Sequence, residues 1–298
     1  MLVNAPVPVR RVDFHGMRFY QPIDEDDGSL FRPSTTSILN MINKPELNRW
    51  RQEKGLEADK LGKLAMMIGD IIHRGINRLI TCGDLERSWI MNAIITHSFQ
   101  RWDDMCSLEA LYKKISRRMD GFKVFWDDKQ PLGMRPIASE IMLYHKQVRW
   151  AGTCDLVTKI RLRSNSRDLV TMLIDYKTGK EYKEHPLQLA SYAMLWNKNL
   201  RNQGWRVTHV GNLYLGDLWK KAPKYKLKVY PLDDTLKQKF IKIMDAWVAV
   251  NGNLRVKDPE PATTKWEIDK SHLTDIKPRW LGDGEISKLN KQKELQNG

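Results

Sequence analysis

An α/β fold is what this sequence predicts: secondary structure in the order αβββαβ, a mixed sheet flanked by helices, and a helical elaboration in front of it. Three observations carry the expectation. Apolar residues recur near a 3.6 period between 60 and 79 and again in two patterns between 85 and 127. Short alternating runs replace them at 137–144, 150–160 and 169–176, separated by polar turns such as Arg163-Ser164-Asn165-Ser166. Helical spacing then returns after Pro186, followed by two further strand-like runs.

Taken in order, residues 1–32 read as an irregular or short-stranded arm ending near the acidic turn Asp24-Glu25-Asp26-Asp27-Gly28. Ser34-Thr35-Thr36 precedes Ile38, Leu39 and Ile42, so a hydroxyl cap opens the first helix, and Pro45 starts another. Leu61, Leu64, Ile68, Ile72, Ile76 and Leu79 form one apolar stripe, with His73 beside it. The second pattern between 85 and 127 carries Lys113, Lys114, Arg117 and Arg118, which read as a solvated face. The runs 137–144, 150–160 and 169–176 are expected to form a three-stranded meander. A helix then spans 186–200, strands 207–215 and 226–231, and a helix 236–250. The chain divides into the arm 1–32, one domain 33–250 (helical part 33–135, sheet core 136–250) and an extended tail 251–298 containing Pro259, Pro261 and Pro278.

Composition narrows the function classes. With 298 residues, 41% of them hydrophobic, the chain can bury a core without disulfides. Its three cysteines, Cys82, Cys106 and Cys154, are too few and scattered for a disulfide framework, a CxxC zinc clip or a four-thiolate cluster, which fits a reducing cytoplasm. No run approaches the ~20 apolar residues of a membrane span, and residues 1–11 do not form a signal peptide. Lys+Arg 50 against Asp+Glu 36 gives +14, a balance suited to a polyanionic partner, nucleic acid foremost, although a basic surface also serves solubility.

The chemistry is concentrated in two runs, Gly152-Thr153-Cys154-Asp155 and Ile174-Asp175-Tyr176-Lys177-Thr178-Gly179. Alternate side chains of a strand share a face, so Asp175 and Lys177 point one way while Ile174 and Tyr176 point the other. If the strands holding Asp155 and Asp175 are antiparallel neighbours, the two carboxylates meet across the sheet. Paired carboxylates suit Mg²⁺ or Mn²⁺. A buried Asp–Lys salt bridge beside a turn aspartate is the other reading of the same runs. On the helix that follows, Gln188 and Tyr192 stand at i and i+4 on one face, either turned to the sheet site or packed as a core tyrosine with a neighbouring amide.

Four motifs in this order resemble the PD-(D/E)XK nuclease superfamily, in its RecB-like exonuclease branch. They are Gly69-Asp70-Ile71-Ile72-His73, Gly152-Thr153-Cys154-Asp155, Ile174-Asp175-Tyr176-Lys177-Thr178-Gly179 and Gln188-Leu189-Ala190-Ser191-Tyr192. Pro33-Ser34-Thr35-Thr36-Ser37-Ile38-Leu39, Lys44-Pro45-Glu46-Leu47 and Trp50 resemble the opening of phage-encoded and mitochondrial members of that branch. The resemblance implies the restriction-endonuclease-like fold and a Mg²⁺- or Mn²⁺-dependent deoxyribonuclease. His73, Asp155, Asp175 and the main-chain carbonyl of Tyr176 then become metal ligands, Lys177 the catalytic lysine, and Glu140 a further acidic residue at the metal. Gln188 and Tyr192 position substrate or brace the site. No cysteine follows Cys154, so the iron–sulfur cluster of some relatives is not expected.

The substrate expected is DNA, single-stranded or with a free end, met in the cytoplasm, a host's if the chain is viral, alongside recombination or replication proteins. Lys220, Lys221, Lys224 and Lys226, interleaved with Trp219 and Tyr225, suit a single strand, or equally a solvated edge hairpin. Ser34, Thr35 and Thr36 at a helix start offer hydroxyls to a terminal phosphate, although capping alone explains them. A phage-encoded exonuclease acting in replication, recombination or host DNA breakdown is the leading expectation. Its alternatives are a structure-specific or restriction-type endonuclease and a non-catalytic DNA-binding or recombination protein.

Overall fold

Short β-rich runs near the N-terminus pair with one another before the main sheet begins. β1 (Val9–Phe14), β2 (Met17–Pro22) and β3 (Arg32–Pro33) form an antiparallel sheet in that order. The structure, a computed structural model, describes residues 2–5, 7–14, 16–23, 31–98, 106–200, 203–215 and 225–251. The acidic turn at 24–28, Lys220, Lys221, Lys224 and nearly all of the tail 251–298 lie outside those residues.

Four helices and one more short one separate this arm from the main sheet: α1 (Thr35–Leu39), α2 (Pro45–Lys54), α3 (Glu57–Cys82), α4 (Arg87–Ser98) and α5 (Leu108–Lys129). The expected stripe holds in α3, where Leu64, Ile68, Ile72, Ile76 and Leu79 are all buried. One expectation on α5 is corrected. Arg118 is not part of a solvated face; it is 6% exposed, on the side of the helix that also buries Ile115 and Phe122, and its Nη1 donates to the Lys114 carbonyl.

β4 (Arg135–Leu143), β5 (Gly152–Ile160) and β6 (Val170–Lys177) form the expected antiparallel meander. From β6 the chain crosses through α6 (His185–Leu200) to β7 (Val207–Tyr214), which pairs parallel to β6. β8 (Lys226–Pro231) closes the edge antiparallel to β7, and α7 (Asp234–Asn251) follows. Strand order is therefore β4-β5-β6-β7-β8, a mixed five-stranded sheet.

Both faces of this sheet are covered, which explains the nearly continuous apolar character of β5 and β6. Leu156, Met172, Ile174 and Tyr176 pack toward α3, α4 and α5, with Ile72, Ile76, Ile115 and Phe122. Cys154, Val157, Leu173 and Val210 pack toward α1, α6 and α7, with Ile38, Leu189, Trp196 and Phe240. The arm is bound to the main sheet by the Val3 N–H, which donates to the Ile137 carbonyl at 2.7 Å, and by the Tyr20 hydroxyl, 3.0 Å from Thr153 Oγ1. Among the described residues, no helix is long and apolar enough to cross a membrane.

Candidate active site

The site lies where β4 and β5 lose their regular alternation together. Ala138 and Ile141 of β4, and Cys154 and Val157 of β5, address the same core although each pair is three residues apart. The pleat therefore slips by one residue in both strands, and the ladder skips the pair between Ser139–Leu156 and Ile141–Cys154. The skipped residues are Glu140 and Asp155. Glu140 has φ +47°, alone among the described non-glycine residues in the left-handed region. That conformation costs about 1 kcal/mol or more, and such strain is concentrated at functional sites.

His73 of α3 completes the group. Its Nδ1 is 3.2 Å from Glu140 Oε1 and 3.4 Å from Asp155 Oδ1, and ligand atoms of the three residues lie within 4.8 Å of one another. The Tyr176 ring fixes the imidazole from the side in an edge contact at 5.4 Å. Asp155 is held by the backbone of β6, because its Oδ2 accepts the Tyr176 N–H at 2.7 Å. That bond takes over where the β5–β6 ladder ends at Leu156–Ile174.

Charge in this pocket is unbalanced toward the negative. Burial pulls the imidazole pKa of His73 down, but Asp155 and Glu140 outweigh it and hold it well above the usual histidine value. Glu140 is pushed up to about 7 by burial and then by the Asp155 charge. Two carboxylates this close stabilise a positive charge between them, whether an imidazolium or a divalent ion. Two hard oxygen donors with one imidazole fit Mg²⁺ or Mn²⁺ rather than a thiophilic metal.

The second part of the site is a hydrogen-bonded knot between β6 and α6. Lys177 Nζ is 2.6 Å from Asp175 Oδ2 and donates to Gln188 Oε1 at 2.7 Å. Gln188 Nε2 donates to Asp175 Oδ1 at 3.3 Å and to the Tyr192 hydroxyl at 3.0 Å. An ammonium has three donors, and these contacts use two. Gln188 and Tyr192 thus face the sheet site and brace it, rather than forming a detached core pair.

Several expectations are refined by this geometry. Asp155 and Asp175 do lie on antiparallel neighbours, but the tight three-residue group contains His73, Glu140 and Asp155, while the Asp175 carboxylate is turned to Lys177 and Gln188. The terminal-phosphate role is corrected for Ser34 and Thr35. Ser34 is 2% and Thr35 0% exposed, so no phosphate reaches those two hydroxyls, while Thr36 is half-buried. Ser34 Oγ caps α1 by accepting the Ser37 N–H at 3.0 Å and bonds Thr36 Oγ1 at 2.8 Å, and Thr35 Oγ1 bonds Ser191 Oγ at 2.8 Å. Lys226 is paired with Glu181, 3.3 Å away, and Lys228 bonds the same carboxylate.

One residue that sequence reasoning missed also belongs here. Asn212 of β7 is fully buried and donates from Nδ2 to Asp175 Oδ2 at 3.2 Å. The signal was a single amide inside the apolar run Val210-Gly211-Asn212-Leu213-Tyr214-Leu215.

Residues 48–260 match the family model of the PD-(D/E)XK nuclease superfamily. Among solved structures, the alkaline exonuclease LHK-Exo from Laribacter hongkongensis is similar over 58% of this chain and 84% of its own, at 12% identity and a TM-score of 0.31. Its complex with dAMP is similar over 55% and 76%, at 14% identity and a TM-score of 0.31. A candidate exonuclease from Eubacterium rectale is similar over 67% and 71%, at 8% identity and a TM-score of 0.35. No curated protein matches the sequence.

Proposed function

The chain belongs to the PD-(D/E)XK nuclease superfamily, and from that premise we propose that it is a divalent-metal-dependent DNA exonuclease. The observation that carries the reading is the juxtaposition of the His73–Glu140–Asp155 group with the Asp175–Lys177 pair at the end of one strand pair. His73, Glu140 and Asp155 would hold the ion, with Asp175 and the Tyr176 main-chain carbonyl as further ligands. Mg²⁺ or Mn²⁺ bound there would supply a polarised water and neutralise charge developing on the phosphoryl oxygens.

The protein's own contribution is orientation and charge. Lys177, kept in place by Gln188, presents its remaining N–H donor to water or to a phosphoryl oxygen, where an ammonium stabilises the transition state more than the ground state. Tyr192 holds Gln188 in turn. The net charge of +14 favours a polyanion, and Lys220, Lys221, Lys224 and Lys226 remain the proposed grip on a single strand. Requirement for a free end rests on the RecB-like motifs, above all Gly69-x-x-x-His73 on α3. The likeness of the opening to phage-encoded members supports a role in replication, recombination or host DNA breakdown, beside the proteins of those processes in the cytoplasm.

End-labelled linear single-stranded, linear duplex and covalently closed circular DNA, each incubated with Mg²⁺ or Mn²⁺, test the reading. Linear substrates are expected to be degraded and closed circles spared. Cutting of closed circular single strands at the rate of the linear form overturns the exonuclease reading in favour of an endonuclease. Asp175→Ala and Lys177→Ala are expected to abolish turnover while DNA binding survives; turnover in both folded variants removes the site assignment.

A further inference from the structure

Asn212 is one of three residues that hydrogen-bond the Asp175 carboxylate among the described residues, and it differs from the other two. Lys177 and Gln188 come from the site's own motifs, and Lys177 has work to do elsewhere once DNA is bound. Asn212 sits on the adjacent parallel strand, in register with Asp175. Its Nδ2 reaches Oδ2, the same oxygen that Lys177 approaches. A carboxylate only accepts, so the orientation of the amide is fixed with nitrogen toward Asp175.

The other half of the amide is left without compensation. Asn212 is 0% exposed, and its Oδ1 is buried with no hydrogen-bond partner among the described residues. A buried carbonyl oxygen without a partner is destabilising, and a leucine of similar size in this apolar strand would avoid the penalty. Packing and stability therefore do not account for an amide here. Its donor does.

Resting on the nuclease reading above, we infer that Asn212 is a positioning residue that keeps the Asp175 carboxylate aimed while Lys177 presents its remaining donor to the scissile phosphate. Gln188 holds Oδ1 from α6, and Asn212 holds Oδ2 from β7, so the carboxylate remains clamped from two elements without the lysine. Partners of this kind around metal-binding side chains typically change metal affinity or activity about 10–100-fold.

The test uses the full chain with Asn212→Leu, Asn212→Ala and Asn212→Ser, reading Mn²⁺ affinity without DNA by calorimetry, melting temperature, and kcat and KM on linear DNA. Asn212→Leu is expected to melt no lower than wild type, bind Mn²⁺ about 10–100-fold more weakly and lose kcat to a similar extent with little change in KM. Asn212→Ser, which retains a short donor, is expected to recover part of both losses. Wild-type Mn²⁺ affinity and kcat in folded Asn212→Leu or Asn212→Ala overturn the inference. So does failure of both to fold, which makes the residue a packing element. A wild-type chain that neither binds Mn²⁺ nor cuts DNA fails at the nuclease reading itself, which separates the two failures.

Discussion

The Tyr192 ring lies against Gly152 so closely that a Cβ at position 152 would stand 2.9 Å from its Cδ1 and nearer still to Cε1. The glycine of one motif and the tyrosine of another, 40 positions apart, are therefore a single contact. The tyrosine hydroxyl in turn takes the Gln188 amide that holds Asp175. Gly152→Ala is expected to destabilise by ~1–3 kcal/mol, as overpacking does, and to lower activity by displacing Gln188. Combined with Tyr192→Leu, which clears the space, the alanine should cost less than it does alone. Urea denaturation of the four proteins checks this; strictly additive losses refute the contact.

Ser34 separates capping from substrate binding. Ser34→Ala is expected to lower stability by ~1–2 kcal/mol, because the Ser37 N–H loses its acceptor in a buried setting. KM for linear DNA should not change. A KM that rises several-fold with unchanged stability returns the hydroxyl to the DNA.

His73 brings the only nitrogen into a group otherwise made of carboxylates. His73→Ala is expected to weaken Mn²⁺ binding more than Mg²⁺ binding, since imidazole favours the softer transition ion. Competition calorimetry with the two ions gives the ratio, and equal loss for both speaks against ligation through nitrogen.

His185 provides a pH test away from the metal group. Burial, with the Lys177 charge added, lowers its pKa to about 3, and its Nδ1 is 3.1 Å from the Tyr214 hydroxyl. The folded protein keeps this ring neutral while the unfolded chain protonates it below about 6.5. Its contribution to stability is therefore complete above that value and declines as pH falls toward 3. About 2 kcal/mol should be lost by pH 5. His185→Gln, which preserves an acceptor, should flatten the slope of unfolding free energy between pH 6.5 and 5; an unchanged slope excludes His185 as its source.

Much of this was legible because the local rules and the fold agree. Alternation in 170–177 sends Ile174 and Tyr176 to the α3–α5 core and leaves Asp175 and Lys177 on the α6 side. The i, i+4 spacing of Gln188 and Tyr192 likewise predicts their hydrogen bond. What alternation could not reveal is the paired slip at Glu140 and Asp155, because the pairing register is the same on either side of it and it follows from the backbone turn at Glu140. Glu140 rather than Asp175 shares the tight group with His73 and Asp155. Burial of Ser34 and Thr35 was equally hidden, since it depends on Ala151 and Ser191, far along the chain.

The left-handed backbone at Glu140 sets two kinds of selection against each other. Glycine there relieves the conformation at no steric cost, yet deletes a carboxylate from the proposed metal-binding group. A lineage kept only for its ability to fold would drift toward glycine at this position, whereas one kept for cleavage must go on tolerating the strain. The residue that any descendant carries there is thus a record of which pressure has been acting.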